Sequence, residues 1–177
     1  MLRLFAALPL PEEIGDQLVP LQKNVSGASW RPQRNFHITL AFFGDVDLHL
    51  AQDLDEELAA IPTRQLELEL SGMGWFGRRE PHAVWARVRE NEDLNTLAGL
   101  CARAGKRLGL RMEKRSYTPH VTLAYCHGTP LSAAESFVSR NAGFGSGPFW
   151  VDRFHLYSSH FGKGASQYVA EADYPMG

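Results

Sequence analysis

The stretch "NFHITLAFFG", residues 35–44, decides how this chain is read. Ile38, Leu40, Ala41, Phe42 and Phe43 make it a buried strand. His37 and Thr39 interrupt that strand two residues apart. Side chains alternate faces along a strand, so His37 and Thr39 share one face while Ile38 and Leu40 share the other. A single polar pair of this kind is ordinarily a hydrogen-bonded core histidine. The stretch "YTPHVTLAYC", residues 117–126, repeats it with His120 and Thr122 against Val121 and Leu123. Two strands in the same phase predict two polar faces, each carrying one imidazole and one hydroxyl, that meet across a cleft.

The surrounding chain predicts alternating strands and helices. A first strand covers Leu2–Leu8, stopped by Pro9 and Pro11. A helix follows over Pro11–Asn24. The first histidine strand runs from Phe36 to Phe43 and ends at Gly44. A helix over Asp47–Ala60 stops before Pro62. "RQLELELSG" (64–72) and "HAVWARVRE" (82–90) alternate as strands with one wet face. Asp93–Leu108 is an amphipathic helix. The second histidine strand covers Pro119–Cys126, then comes a short helix over Ser132–Arg140. "FWVDRFHLYSS" and "SQYVAEADY" read as two closing strands. The two histidines lie about half a chain length apart, and each is followed by a turn and a helix. This pattern fits two similar α+β lobes within one domain spanning residues 1–177.

Composition bounds the function. The chain has 177 residues, 44% of them hydrophobic and 21% charged, and a net charge of −2. That balance argues against gripping a long duplex, whose phosphates demand a broad basic footprint. It leaves room for one phosphate, or the end of an RNA, in a local pocket. Two cysteines, Cys101 and Cys126, make no disulfide framework and point to a reducing cytoplasm. The apolar N-terminal run is too short to span a bilayer and lacks a cleavage-site pattern, so no membrane association is expected.

Two imidazoles and two hydroxyls suit phosphodiester chemistry without a cofactor. Histidine titrates near neutrality, so one can act as base while the other acts as acid. The hydroxyls can donate to non-bridging phosphate oxygens. No His-x-x-x-His helix or paired-cysteine motif suggests a metal site. His49, His82, His127, His155 and His160 take surface or packing roles. "GMGWFG", residues 72–77, matches Gly-x-Gly-x-x-Gly, but Pro81 and strand residues follow where a helix should start. It reads as a loop between strands, with Arg78 and Arg79 as solvated charges.

The paired motifs, "HITLAFFG" and "TPHVTLAY", together with "RLFAALPLP" and "FHLYSSHFGKGASQY", resemble the two-histidine phosphoesterases. Among these, the chain is similar to the bacterial RNA 2′,3′-cyclic phosphodiesterase branch, also called LigT-like or 2′-5′ RNA ligase. The resemblance implies a bilobal α+β fold, with antiparallel sheets flanking a central cleft and helices outside. It implies opening of RNA or nucleotide 2′,3′-cyclic phosphates to 2′-phosphomonoesters. It further implies that His37 donates a proton to the leaving oxygen and His120 accepts one from water; the residues by themselves leave that assignment open. Thr39 and Thr122 would bind the phosphate.

Three alternatives stand beside this reading: 2′-5′ RNA ligation, a phosphodiesterase for small cyclic or 2′-5′ linked nucleotides, and a nucleotide-binding module without turnover. The resemblance also implies an arginine where this chain has Tyr125. Lys163, Arg115 and Arg34 are candidates to supply its charge. Phe42 and Tyr125, each five residues after its histidine, are candidate base-stacking residues. Strict alternation turns them away from the histidines, so their use requires a bulge.

Overall fold

The computed structural model describes residues 1–177 as two antiparallel sheets with helices on their outer faces. The first sheet has the order β3-β1-β8-β9: β1 is Leu2–Pro9, β3 is His37–Val46, β8 is Arg153–His160 and β9 is Gln167–Pro175. The second has the order β2-β6-β5-β4-β7: β2 is Ala28–Trp30, β4 is Leu66–Phe76, β5 is Ala83–Val88, β6 is His120–Cys126 and β7 is Gly145–Val151. The helices are α1 (Glu12–Leu18), α2 (Leu48–Ala59), α3 (Glu92–Arg107) and α4 (Leu131–Arg140). The α+β, two-lobed architecture is the one expected. No helix is long and apolar enough to cross a membrane.

Each histidine strand belongs to a different sheet, but neither sheet is built from one half of the chain. The first sheet takes β1 and β3 from the start and β8 and β9 from the end. The second takes β2, β4 and β5 from the first half and β6 and β7 from the second. One continuous apolar core unites them, from Leu4 and Ile38 in the first sheet to Val84 and Leu123 in the second. Helix α3 lies between strands of the second sheet in sequence but packs on β3 of the first. Gly105 on α3 makes that approach possible: a Cβ there would press within 3.1 Å of the Phe43 ring and 2.6 Å of Met112 Sδ.

Local chemistry explains the elements. Asp47 caps α2 by accepting from Leu50 N–H at 2.8 Å, and Asn91 caps α3 by accepting from Leu94 N–H at 2.9 Å. Glu92 and Asp93 in the first turn of α3, and Lys106 and Arg107 in its last, complement the helix dipole.

Four boundaries differ from expectation. Helix α1 stops at Leu18 and tightens into a 3-10 turn over Val19–Leu21, because Pro20 has no N–H to continue the ladder. Strand β3 runs past Gly44, whose φ of 77° lets the strand bulge instead of ending. "FWVDRFHLYSS" is two strands: the chain leaves the second sheet at Val151 and enters the first at Arg153. "GMGWFG" is no loop, because β4 continues through it to Phe76. Each of its glycines has a steric reason. Gly72 sits at φ 75° beside a register shift, a Cβ on Gly74 would overlap the Trp85 ring, and Gly77 turns the chain at φ 112°.

Candidate active site

The two histidine strands are alike residue by residue. From His37 to Phe43 and from His120 to Cys126 the burial runs identically: half-buried, buried, half-buried, buried, buried, exposed, buried. Both strands bulge at the fourth residue. Leu40 is skipped between the pairs Thr39–Ala7 and Ala41–Ala6, and Leu123 between Thr122–Trp85 and Ala124–Val84. A bulge shifts the alternation by one. Phe42 and Tyr125 therefore return to the face of their histidines, where they are 41% and 44% exposed. Cross-strand pairing agrees, since Phe42 lies opposite Phe5, whose ring packs 5.1 Å from His37.

Each imidazole is oriented by its own backbone. His37 Nδ1 lies 2.7 Å from the carbonyl oxygen of Asn35, and His120 Nδ1 lies 2.6 Å from that of Thr118. A carbonyl can only accept, so the proton of each neutral ring sits on Nδ1 and leaves Nε2 as the reactive nitrogen. His37 Nε2 is 3.1 Å from Thr39 Oγ1, a contact the two-residue spacing makes possible. Asn35 is itself buried and fixed: its side-chain amide donates to the Ser166 carbonyl at 2.9 Å, tying the approach to β3 to the connection between β8 and β9.

Aromatic rings wall both imidazoles. Phe5, Tyr157 and Tyr168 surround His37, with Tyr168 edge-on at 5.3 Å. Phe76 stands edge-on to His120 at 4.8 Å, and Trp85 lies 5.5 Å away. Gly74 leaves the space beneath Trp85. These walls strip water from the rings and penalise the charged form. Burial pulls the His37 pKa from 6.5 down to about 4; the Asn35 carbonyl opposes this and the charge of His120 adds to it. Burial also lowers His120, against the pull of the Thr118 carbonyl. The strands that carry the two imidazoles, β3 and β6, lie in contact.

None of the wall residues stood out in the sequence. Phe5, Phe76, Trp85, Tyr157 and Tyr168 come from five strands, and no local pattern marks an aromatic that faces a cleft. Tyr117 was also missed; its hydroxyl donates to the Thr39 carbonyl at 2.6 Å, joining the two motif segments. Of the other histidines, His155 packs on Tyr157 at 5.2 Å, and His160 Nε2 lies 2.8 Å from Ser158 Oγ. No three His, Cys, Asp or Glu side chains converge in a group that could hold a metal ion.

A family model described as the 2′-5′ RNA ligase superfamily matches residues 10–162. The chain belongs to the 2′-5′ RNA ligase superfamily. The RNA 2′,3′-cyclic phosphodiesterase of Escherichia coli (strain K12) is 30% identical over 172 residues, taking in 94% of this chain and 92% of that one. The protein of the same name from Geobacillus stearothermophilus is 33% identical over 127 residues, 68% of this chain. The match takes in only 40% of that relative, so it spans less than half of its length. The crystal structure of E. coli LigT complexed with 3′-AMP is similar over 99% of this chain and 98% of that one, with a TM-score of 0.79 and 26% identity.

Against this superfamily background the surroundings of Tyr125 are informative. Of the three cations the sequence offered, Arg115 is exposed and pairs with Glu113 at 2.9 Å. Lys163 is exposed in the β8–β9 connection, and Arg34 is exposed in the turn before β3. None of them stacks on Tyr125. The guanidinium that does is Arg31, 5.0 Å from the centre of the ring.

Proposed function

We propose that this chain is a phosphodiesterase that opens RNA 2′,3′-cyclic phosphate ends to 2′-phosphomonoesters, with the two histidines as acid and base. The observation that carries the reading is the matched pair of Nδ1-anchored imidazoles, each with its threonine two residues on and each set among aromatic rings.

In this mechanism the cyclic phosphate lies between the two Nε2 atoms. His120 takes a proton from water, and the resulting hydroxide attacks phosphorus. The bond from phosphorus to the 3′ oxygen breaks, and His37 delivers its proton to that oxygen. The product carries a 2′-phosphate and a free 3′-hydroxyl. The Thr39 and Thr122 hydroxyls donate to the non-bridging oxygens, where negative charge grows in the transition state. The apolar walls make the empty site reluctant to hold a proton, and the anionic phosphate reverses that preference. The acid is thus charged when substrate is present. Phe42 and Tyr125 offer exposed ring faces for bases at the two ends of the cleft. Two buried free cysteines accord with action in a reducing cytoplasm.

The test is product analysis on a short RNA bearing a 2′,3′-cyclic end. The expected product is the 2′-phosphomonoester, formed at an unchanged rate with chelator present. His37→Ala and His120→Ala should each lower the rate by on the order of 10²–10⁴, the usual contribution of a positioned acid or base. The double variant should be little worse than either, because the two act as a unit. Tight nucleotide binding without turnover would replace this reading with that of a binding module.

A further inference from the structure

The two motif strands end in matched arrangements with unmatched charge. On the first, Arg3 of β1 covers Phe42, 4.8 Å from the ring centre. On the second, Arg31, just beyond β2, covers Tyr125 at 5.0 Å. Arg3 is neutralised by Asp45, 3.7 Å away. Arg31 has no carboxylate partner. Its side chain donates only to Ser29, from Nη2 to Oγ at 2.6 Å and from Nε to the carbonyl at 3.3 Å. Donor capacity on both terminal nitrogens remains uncommitted.

Arg31 is also held in place. Its backbone N–H donates to the Leu123 carbonyl, at the bulge of β6, at 2.8 Å. The Gln22 side-chain amide bridges the Arg31 and Leu123 carbonyls at 2.9 and 3.1 Å. Ser29 lies directly opposite Tyr125 in the β2–β6 ladder, so it and the residue two positions on belong to the cleft face. A half-buried, stacked and unpaired guanidinium is a built anion contact, because its fork matches phosphate oxygens and its plane is already ordered.

Its position separates it from the reacting phosphorus. Tyr168 stands edge-on to His37, and its phenol pKa, raised by burial, also responds to Tyr125 and to Arg31. Tyr125, beneath Arg31, stands five residues beyond His120 on β6, on the order of 15 Å away at about 3.3 Å per residue, farther than one phosphate spans. We propose that Arg31, stacked on Tyr125, binds the next phosphate of a single-stranded RNA whose cyclic end is in the site, so that the strand leaves over the β6–β2 edge and not past the neutral Arg3–Phe42 end. This rests on the phosphodiesterase reading above and adds the polarity of the bound strand and a preference for oligonucleotides over mononucleotides.

The experiment compares a 2′,3′-cyclic mononucleotide with a short RNA carrying the same end, across ionic strength. Arg31→Gln should lower kcat/KM for the RNA about tenfold, through KM, and lower it less for the mononucleotide. It should also flatten the slope of log kcat/KM against log salt for the RNA by about 0.7, the share of one phosphate on a single strand. Arg31→Lys should keep most of that slope, as the charge remains. Arg64→Gln, which removes an arginine paired with Asp93, should change neither substrate. Equal losses on both substrates would place Arg31 at the reacting phosphate, and no loss on either would remove it from the site; both overturn the proposal. Wild-type turnover of the mononucleotide tests the phosphodiesterase reading separately.

Discussion

Tyr117 donates its hydroxyl to the carbonyl oxygen of Thr39 at 2.6 Å, so the segment leading into one histidine holds the strand that carries the other. Strand β3 is the edge of its sheet, and an edge strand leaves carbonyls without a ladder partner. Tyr117 supplies a donor there and ties the sheets together beside both catalytic candidates. Tyr117→Phe should cost about 1 kcal/mol in stability, the net worth of one such hydrogen bond. It should lower kcat more than it lowers thermal stability would suggest, because it loosens the spacing of two groups that must address one phosphorus. Urea unfolding and steady-state kinetics on the same preparation check this; an unchanged kcat would make the tie purely structural.

The pH dependence follows from the aromatic walls. The free site needs one imidazole charged and one neutral. Burial lowers both, with His37 at about 4 and His120 below its ordinary 6.5. The profile of kcat/KM, which reports the free enzyme, should therefore be a bell lying between about pH 4 and 6.5. The kcat profile should lie at higher pH, because the bound phosphate anion favours the imidazolium. A kcat/KM optimum at pH 8 would contradict the desolvated site.

Acid stability offers an independent reading of His37. Its folded pKa of about 4 is below its ordinary 6.5, so between these values the unfolded chain binds more protons than the folded one. Stability should then fall as pH drops from about 6.5 to 4 and lose nothing more from this group below 4. The contribution is at most about 3.5 kcal/mol, since one pKa unit corresponds to about 1.4 kcal/mol. His37→Asn should show a correspondingly shallower loss in urea midpoints between pH 7 and 4.5.

Two glycines should respond oppositely to alanine. A methyl at Gly74 would overlap the Trp85 ring and push it against His120, so Gly74→Ala should cost about 1–3 kcal/mol and reduce kcat/KM. Gly99 is exposed on α3 with nothing within 4 Å of the added Cβ, so Gly99→Ala should stabilise by about 0.5–1 kcal/mol. Thermal melts of the two variants, with activity alongside, separate a packing glycine from an idle one.

What the sequence by itself determined is local. His37 with Thr39, and His120 with Thr122, share a face because a strand alternates every residue, and that rule needs no partner. The same periodicity located α2, α3, the strands over residues 64–72 and 82–90 to within a few residues, and the second histidine strand over Pro119–Cys126. Tertiary structure decided everything that depends on which strand lies beside which. The break at Asp152 is invisible in "FWVDRFHLYSS", because either half is a sound strand and only the sheets they join differ. The bulges at Leu40 and Leu123, which return Phe42 and Tyr125 to the cleft, arise from pairing with β1 and β5. The rings that desolvate the two histidines come from strands scattered between Phe5 and Tyr168. Arg31 looks like any surface arginine until β2 pairs with β6 and sets it over Tyr125. Alternation is written along one strand, whereas pKa, stacking and charge pairing depend on neighbours that only the folded chain supplies.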